Sequence, residues 1–501
     1  MRTWNVGQWI LPAVFVFEAV CPASAAAASA VRSERDWFGA VTDRLGRRDG
    51  AKAAKLVDGE AIEVWSTAAM DAMAVDHTPV APIESRVFGE QVGPARSARA
   101  MAIVHIAMFE AMNAIDKKYR SYTGISPIAK HTRIDTRAAV AQAAYDTLGF
   151  LYPSQQPRFK SQLDAYLGTS IRQNATLRAI DLGHACAASI IGMRTDDGSN
   201  HPEPIIGIDY QTGTDPGDWQ QDPISQSPIA LGAFWSQVKP FALSSASQFR
   251  VPAPPSLSSR AYATAFAEVS ALGGLGVPAG TTTRSAEQTL IGKFWGYDGT
   301  PGLGTPPRLY NQIALIIAKQ KGTTGIELAR LMALVNVAMA DTGIATWESK
   351  YTYTFWRPVT AIRDALLDGN DATAADPDFI PLGAPASNTN GPNFTPPFPA
   401  YPSGHAAFGG AVFQTLRAFY GTDQIPFTVV SDEFNGVTLD VDGTIRPLVP
   451  RSFQTLAQAE EENGQSRIYL GIHWSFDKTE GITQGRKVAN RVFTTTFLPA
   501  L

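Results

Sequence analysis

The chain has 501 residues, of which 45% are hydrophobic and 18% charged, with a net charge of −4. That length exceeds one ordinary compact domain and supplies ample apolar material, so two packed halves or one large helical body are expected. No Lys/Arg-rich stripe accompanies the mild acidity, which argues against a nucleic-acid partner.

Residues 1–30 stand apart. Arg2 precedes an apolar run at 9–17, followed by "PASAAAASA" with A-x-A patterns at Ala23/Ala25 and Ala28/Ala30. This is a secretory leader pattern, so export to a periplasm or medium is expected, with residues 1–30 removed. Elsewhere no run reaches about 18 uninterrupted apolar residues, so no membrane span is expected in the mature protein. Of the two cysteines, Cys21 lies in the leader and Cys186 stands alone on an alanine-rich stretch. Without a disulfide framework, stability is expected from packing, with Cys186 as core filler.

Helical periodicity dominates the remainder, and the fold class expected is all-α. Helices are predicted at 95–114, 137–151, 177–194, 325–346, 358–367, 405–420, 452–467 and 478–493. Pro- and Gly-rich stretches at 203–257, 299–307 and 382–403 punctuate them. Strands are expected only within 427–443, where Asn435-Gly436 predicts a small surface β-hairpin.

The helices also repeat. "RAMAIVHIAMFE" from Arg99 aligns with "RLMALVNVAMAD" from Arg330, and "AAVAQAAYDTLGFLY" from Ala138 with "AAFGGAVFQTLRAFY" from Ala406. A weaker third pair is "GHACAASII" from Gly183 and "GRKVANRVF" from Gly485. Alanine-rich helices resemble one another in any case, so the weight falls on the shared order. It predicts two related helical bundles, an N-terminal half at 31–280 and a C-terminal half at 281–501. Only the second half keeps chemistry, because "DTRAAV" stands in the first where "SGHAAF" stands in the second.

Three motifs carry that chemistry. In "WESKYTYTFWRP", Lys350 and Arg357 are seven residues apart, which on a helix is two turns and puts both cations on one face, with Trp347 nearby. In "FPAYPSGHAAFGG", Ser403 is placed to cap a helix whose free N–H groups favour an anion. Gly404 leaves its amide open there, and His405 follows. In "SRIYLGIHWSFD", Arg467 adds a third cation and His473 a second imidazole. Asp477 has two readings: it orients His473 Nδ1, or it caps the last helix together with Glu480. Of the remaining histidines, His105 reads as a core residue, and His77, His131, His184 and His201 lack ligand spacing.

Lys-x6-Arg-Pro, Pro-Ser-Gly-His and Ser-Arg-x5-His-x3-Asp, in this order, resemble the superfamily that joins vanadium-dependent haloperoxidases with type 2 phosphatidic acid phosphatases and class A acid phosphatases. "FWGYDGTPGLGTPPRLYNQIA", "FTPPFPAYPSGHAAFGGAVF" and "SDEFNGV" look like the fungal-type vanadium chloroperoxidases, over about residues 285–495. The resemblance implies that Lys350, Arg357, Arg467, Ser403 and Gly404 cradle a vanadate. It implies His473 as the one protein ligand of the metal, His405 as the acid–base residue, and Asp298 as the partner of Arg467. Trp347 and Phe398 match positions on the halide side, where algal-type bromoperoxidases carry histidine in place of Phe398. The activity implied is oxidation of halide, chloride and bromide expected, by hydrogen peroxide to hypohalous acid, with vanadium held at V(V). Lys350 and its neighbouring cations would draw electrons from the peroxide, and a small organic acceptor stays open as a further partner. Two alternatives use the same residues. An acid phosphatase would attack phosphorus with His473 to form a phosphohistidine, and an inactive exported oxyanion binder would need no imidazole at His405.

Overall fold

The computed structural model describes residues 60–129, 132–278 and 280–500; the predicted leader with Cys21, and His131, lie outside them. In chain order the main elements are α1 (Glu60–Asp76), α2 (Pro94–Asp116), α3 (Thr136–Leu151), α4 (Gln156–Leu167), α5 (Asn174–Arg194) and α6 (Arg260–Leu272). They continue with α7 (Ala286–Phe294), α8 (Pro307–Gln320), α9 (Gly325–Tyr353), α10 (Pro358–Arg363) and α11 (Gly404–Tyr420). Strands β1 (Phe427–Asn435) and β2 (Leu448–Phe453) precede α12 (Leu456–Tyr469) and α13 (Ser475–Thr495). Helix starts follow local chemistry. Asp135, Ser259, Ser285, Ser403 and Thr455 each accept a hydrogen bond from a backbone amide three residues on.

Two triads organise these helices. α2, α3 and α5 pack on one another, as do α9, α11 and α13, and α2 lies along α9 where the triads meet. The predicted repeat is visible at atomic detail. A Cβ on Gly183 of α5 would stand 2.7 Å from the Ala139 carbonyl, and one on Gly485 of α13 would stand 2.0 Å from the Ala407 carbonyl. Those are aligned pairs, so both triads use a glycine at the same crossing. The aligned buried carboxylates Glu110 and Asp341 behave alike too. Glu110 accepts from the Tyr122 and Thr123 amides, and Asp341 from those of Phe241, Ala242 and Leu243. One apolar core runs through both triads, from Trp65 through Phe109 and Met339 to Val492.

α2 and α9 are long and apolar enough to cross a membrane by length and hydropathy, but 94% of each apolar window is buried inside the protein. They are core helices, and their uniform apolarity reflects burial on all sides.

Three expectations change. β1 pairs antiparallel with β2, Phe427 opposite Phe453 and Asn435 opposite Leu448, so Asn435-Gly436 does not close a two-residue hairpin. The segment predicted as helix from 452 begins as strand, and α12 starts only at Leu456, after Thr455 caps it. Lys350 and Arg357 do not share a helix: α9 ends at Tyr353, where Thr354 turns left-handed (φ 45°). Arg357 is extended (ψ 154°) because Pro358 follows it and disfavours the helical region. Helices α1, α4, α6, α7 and α8 lie outside the predicted elements, although α8 carries a plain helical stripe through Leu309, Ile313 and Ile317.

Candidate active site

Residues from four separate stretches meet beside the N-terminus of α11. Lys350, on the last turns of α9, is fully buried and donates to the carbonyls of Pro399 (2.7 Å) and Ala400 (2.9 Å). Arg357 donates to the carbonyls of Phe398 (2.9 Å) and Ile472 (2.8 Å). The proline-rich loop 394–403 explains this arrangement. Prolines carry no N–H, so the loop has few donors of its own, and its carbonyls at Phe398, Pro399 and Ala400 are left to hold both cations. Lys350 Nζ lies 5.0 Å from the Phe398 ring centre and the Arg357 guanidinium 5.0 Å from the same ring, which forms an aromatic wall with Trp347 at 5.0 Å. Trp347 is fixed by its indole N–H, which donates to the Leu231 carbonyl (3.0 Å).

Ser403 is fully buried; its hydroxyl accepts from the Ala406 amide (3.4 Å), and its own amide donates to the Asp477 carbonyl (3.0 Å). A Cβ on Gly404 would come within 3.3 Å of the Trp347 ring, so glycine keeps the helix end close to that wall. His405 Nε2 lies 2.6 Å from the Gly296 carbonyl. A carbonyl only accepts, so the proton sits on Nε2 and the lone pair on Nδ1. Burial, then Arg467, pushes its pKa down to about 4, so the ring is neutral over ordinary pH. Tyr310 Oη (3.0 Å) and Asn463 Nδ2 (2.8 Å) both donate toward the His405 carbonyl and fix this first turn.

Arg467 donates through Nη2 to Asp298 (2.7 Å), while its Nε and Nη1 are buried without a partner. His473 Nδ1 donates to Asp477 (2.7 Å), which leaves its Nε2 unprotonated, 3.0 Å from Arg357 Nη1. Asp477 does both things that the sequence left open, in altered form. The same carboxylate oxygen accepts from the Trp474 amide (3.2 Å), so it also closes the start of α13. The helix begins at Ser475, ahead of Asp477, and the predicted box with Glu480 does not form.

Electrostatics define what fits here. Burial first, then Arg357, pushes the Lys350 ammonium well below its ordinary pKa; burial, then the neighbouring Arg467 charge, brings Arg357 down to about 9. Burial, then Arg357, Lys350 and Arg467, drives the His473 imidazolium far down. Three cations therefore crowd one another in a dry site, with donors of Arg467 unmet. A buried arginine N–H without an acceptor is costly, and an oxyanion removes that cost while favouring the charged form of the lysine. The set fits vanadate: three cations, a helix end, and one unprotonated imidazole nitrogen oriented by a carboxylate. Among the described residues no group of three or more His, Cys, Asp or Glu side chains could hold a metal ion directly.

The fold brings together all ten residues expected from the motifs: Lys350, Arg357, Ser403, Gly404, His405, Arg467, His473, Asp298, Trp347 and Phe398. The motifs miss Tyr310, Asn463, Leu231 and the Gly296 carbonyl. Tyr310 falls within the stretch 294–314 that resembles the chloroperoxidases but carries no motif charge, Asn463 precedes the Ser-Arg motif, and the last two act through backbone atoms that any residue carries.

Residues 330–497 match a family model described as the VCPO second helical-bundle domain. The chain is 33% identical over 496 aligned positions to the vanadium chloroperoxidase of Curvularia inaequalis, covering 82% of this chain and 78% of that protein. Among solved structures, a bacterial vanadium-dependent iodoperoxidase superposes with a TM-score of 0.68 at 23% identity, over 89% of this chain and 98% of that one. A holo-type bacterial vanadium-dependent chloroperoxidase gives 0.64 at 17% identity, over 88% and 98%. These two likenesses speak to the fold. With the Curvularia relative spanning most of both sequences, the chain belongs to the vanadium chloroperoxidase family of vanadium-dependent haloperoxidases.

Proposed function

We infer that this chain is a vanadate-dependent haloperoxidase that oxidises halide with hydrogen peroxide to hypohalous acid, with chloride and bromide as its halides. The observation that carries the site assignment is Arg467, with two buried N–H groups that lack an acceptor beside Lys350 and Arg357. Lys350, Arg357, Arg467, Ser403 and the Gly404 amide would hold vanadate, and His473 Nε2 would be its protein ligand. Bound there, vanadate supplies a Lewis acid that activates peroxide.

The protein's own part is orientation and proton handling. Asp477 keeps the His473 proton on Nδ1, so Nε2 carries a lone pair, which Arg357 Nη1 now meets at 3.0 Å and which an incoming oxyanion would take over as Arg357 turns to it. His405 is neutral and holds its lone pair on Nδ1, so it can accept a proton from incoming peroxide and return it later. Asp298 anchors Arg467 by one nitrogen only, which aims the other two at the oxyanion. Trp347 and Phe398 supply an apolar, weakly hydrating flank for the halide. Export is proposed with this activity, supported by the leader pattern of residues 1–30.

The test is peroxide-dependent halogenation with and without vanadate, for chloride and bromide, with phosphate-ester hydrolysis measured alongside. Vanadate-dependent halogenation is expected. Ester hydrolysis without any vanadate-dependent halogenation would overturn the reading in favour of a phosphatase working through His473.

A further inference from the structure

Strand β1 grips the loop that carries Gly296, Tyr297 and Asp298 with three successive residues. The Ser431 hydroxyl donates to the Phe294 carbonyl (2.6 Å), the Asp432 amide donates to the Tyr297 hydroxyl (2.6 Å), and Glu433 Oε1 accepts from the Tyr297 amide (3.0 Å). Glu433 is completely buried, with Oε2 held by the Ser387 hydroxyl (2.5 Å) and paired with Arg446. Tyr297 is left-handed (φ 56°), a conformation that a bulky residue keeps only where its surroundings enforce it. A Cβ on Gly296 would lie 2.3 Å from Glu433 Oε1, so the carboxylate sits directly against this backbone.

One planar peptide unit joins Glu433 to His405. Its N–H belongs to Tyr297 and points to Glu433; its C=O belongs to Gly296 and accepts the His405 Nε2 proton (2.6 Å). A rigid amide transmits position from one end to the other, and a carboxylate on the N–H strengthens the carbonyl as an acceptor. One residue further, Asp298 holds Arg467 (2.7 Å).

We propose that Glu433 is a positioning residue: through the Gly296–Tyr297 peptide it fixes the tautomer of His405 and the place of the Asp298 carboxylate that aims Arg467. The "SDEFNGV" stretch, which looks like a surface hairpin in sequence, then has its buried face in the service of the site. The effect on turnover rests on the haloperoxidase reading; the effect on His405 does not.

The experiment compares Glu433→Ala and Glu433→Gln with wild type by two readouts. In vanadate-free protein, imidazole 15N shifts report the His405 tautomer. In the vanadate-loaded enzyme, kcat and the halide KM are measured. Glu433→Ala should mix the two His405 tautomers and lower kcat by about 10- to 100-fold with halide KM nearly constant, because Trp347 and Phe398 are on other segments. Glu433→Gln retains an acceptor oxygen and should recover the Nε2–H tautomer and most of kcat. A folded Glu433→Ala protein with the wild-type tautomer and kcat would reduce Glu433 to a buried fold-holding charge and overturn the proposal. Should that variant fail to fold, Ser431→Ala loosens the same loop more mildly; a kcat loss of about threefold at constant KM supports the proposal, and no loss overturns it. Absence of vanadate-dependent halogenation in wild type would sink the function reading instead, and the tautomer comparison would still decide this one.

Discussion

Asp135 and Ser403 occupy aligned positions at the starts of α3 and α11, and each accepts from the amide three residues on, at 3.3 and 3.4 Å. As caps they are nearly equivalent. As neighbours of an oxyanion they are opposites, since a carboxylate repels what a hydroxyl can bind. Two positions later Arg137 lies over the Tyr166 ring at 5.0 Å, where the second triad has His405. α2 stops at Asp116, aligned with Trp347, whereas α9 runs six residues further and carries Lys350 on that extension. Scaffold features such as Gly183/Gly485 and Glu110/Asp341 are shared. The halves therefore teach which parts of the active triad are architecture and which are chemistry.

Two buried histidines make the same point. His105 in the first half and His405 in the second are both pushed down to about 4, in each case chiefly by burial. His105 has both ring nitrogens engaged, Nδ1 with the Met101 carbonyl (2.7 Å) and Nε2 with Ser66 (2.9 Å). It is a satisfied core residue. His405 spends only Nε2, on the Gly296 carbonyl, among the described residues.

The comparison breaks most completely if the presumed ligand is dispensable. His473→Ala removes the imidazole nitrogen that Asp477 orients, and should abolish stable vanadate retention in equilibrium dialysis. Tight retention by that variant would return His473 to the scaffold class. His405→Ala comes next. The three cations, Ser403 and Gly404 remain, so vanadate should bind with modest loss, while halogenation per bound vanadium falls by about 10²–10⁴. Equal turnover per vanadium would place His405 beside His105 as filler.

A graft between the halves sharpens the contrast. Ser403→Asp gives α11 the cap of α3, so helix stability should be kept or raised. A fixed negative charge about 4 Å from a bound anion costs about 4 kcal/mol at an effective dielectric near 20, and the carboxylate would also draw on the same cations. Phosphate affinity of the vanadate-free protein, read by titration calorimetry, should therefore fall by about 10²–10³ with an unchanged or higher melting temperature. The reciprocal Asp135→Ser should change stability by less than about 0.5 kcal/mol, measured by urea unfolding. Unimpaired phosphate binding in Ser403→Asp would mean that the helix end does not face the anion.

The long apolar helices, the aligned repeat pairs and every charged side chain of the three motifs are legible in the sequence, because motif spacing and periodicity are side-chain properties. What the backbone decides is not legible there. Arg357 was read onto the α9 face, but Pro358 and the left-handed Thr354 take it off the helix and into the carbonyls of 396–398. The last two residues of β2, Ser452 and Phe453, read as the start of α12, because "SF" carries no strong strand signal until Phe427 and Thr428 are there to pair with it. The Gly296 carbonyl, and Glu433 behind it, are visible only once β1 is laid against the loop. Asp477 defied an either-or reading because a helix starting three residues earlier let one oxygen serve both ends.

The smallest expected effect concerns how tightly each triad is closed. α11 and α13 approach through three glycines. Cβ atoms built on Gly410, Gly481 and Gly485 would fall 2.6 Å from the Ile482 carbonyl, 2.7 Å from the Ser403 carbonyl and 2.0 Å from the Ala407 carbonyl. In the first triad the aligned positions are Gln142, Ala179 and Gly183, so one close crossing replaces three. Gly481 is the informative one, because its neighbour is the cap of the anion site itself. Gly481→Ala gains about 1 kcal/mol of helix propensity but must push the Ser403 carbonyl away, an overpacking cost of about 1–3 kcal/mol. The net loss of stability should be about 0–2 kcal/mol by urea unfolding, with a several-fold weaker phosphate affinity as Ser403 shifts. Ala179→Gly, its counterpart, should cost about 1 kcal/mol of helix propensity and leave phosphate affinity alone. If both variants leave phosphate affinity alone, the glycines serve only to close the helix pair. If Gly481→Ala alone weakens it, the tighter packing of the second triad is part of how the oxyanion is held.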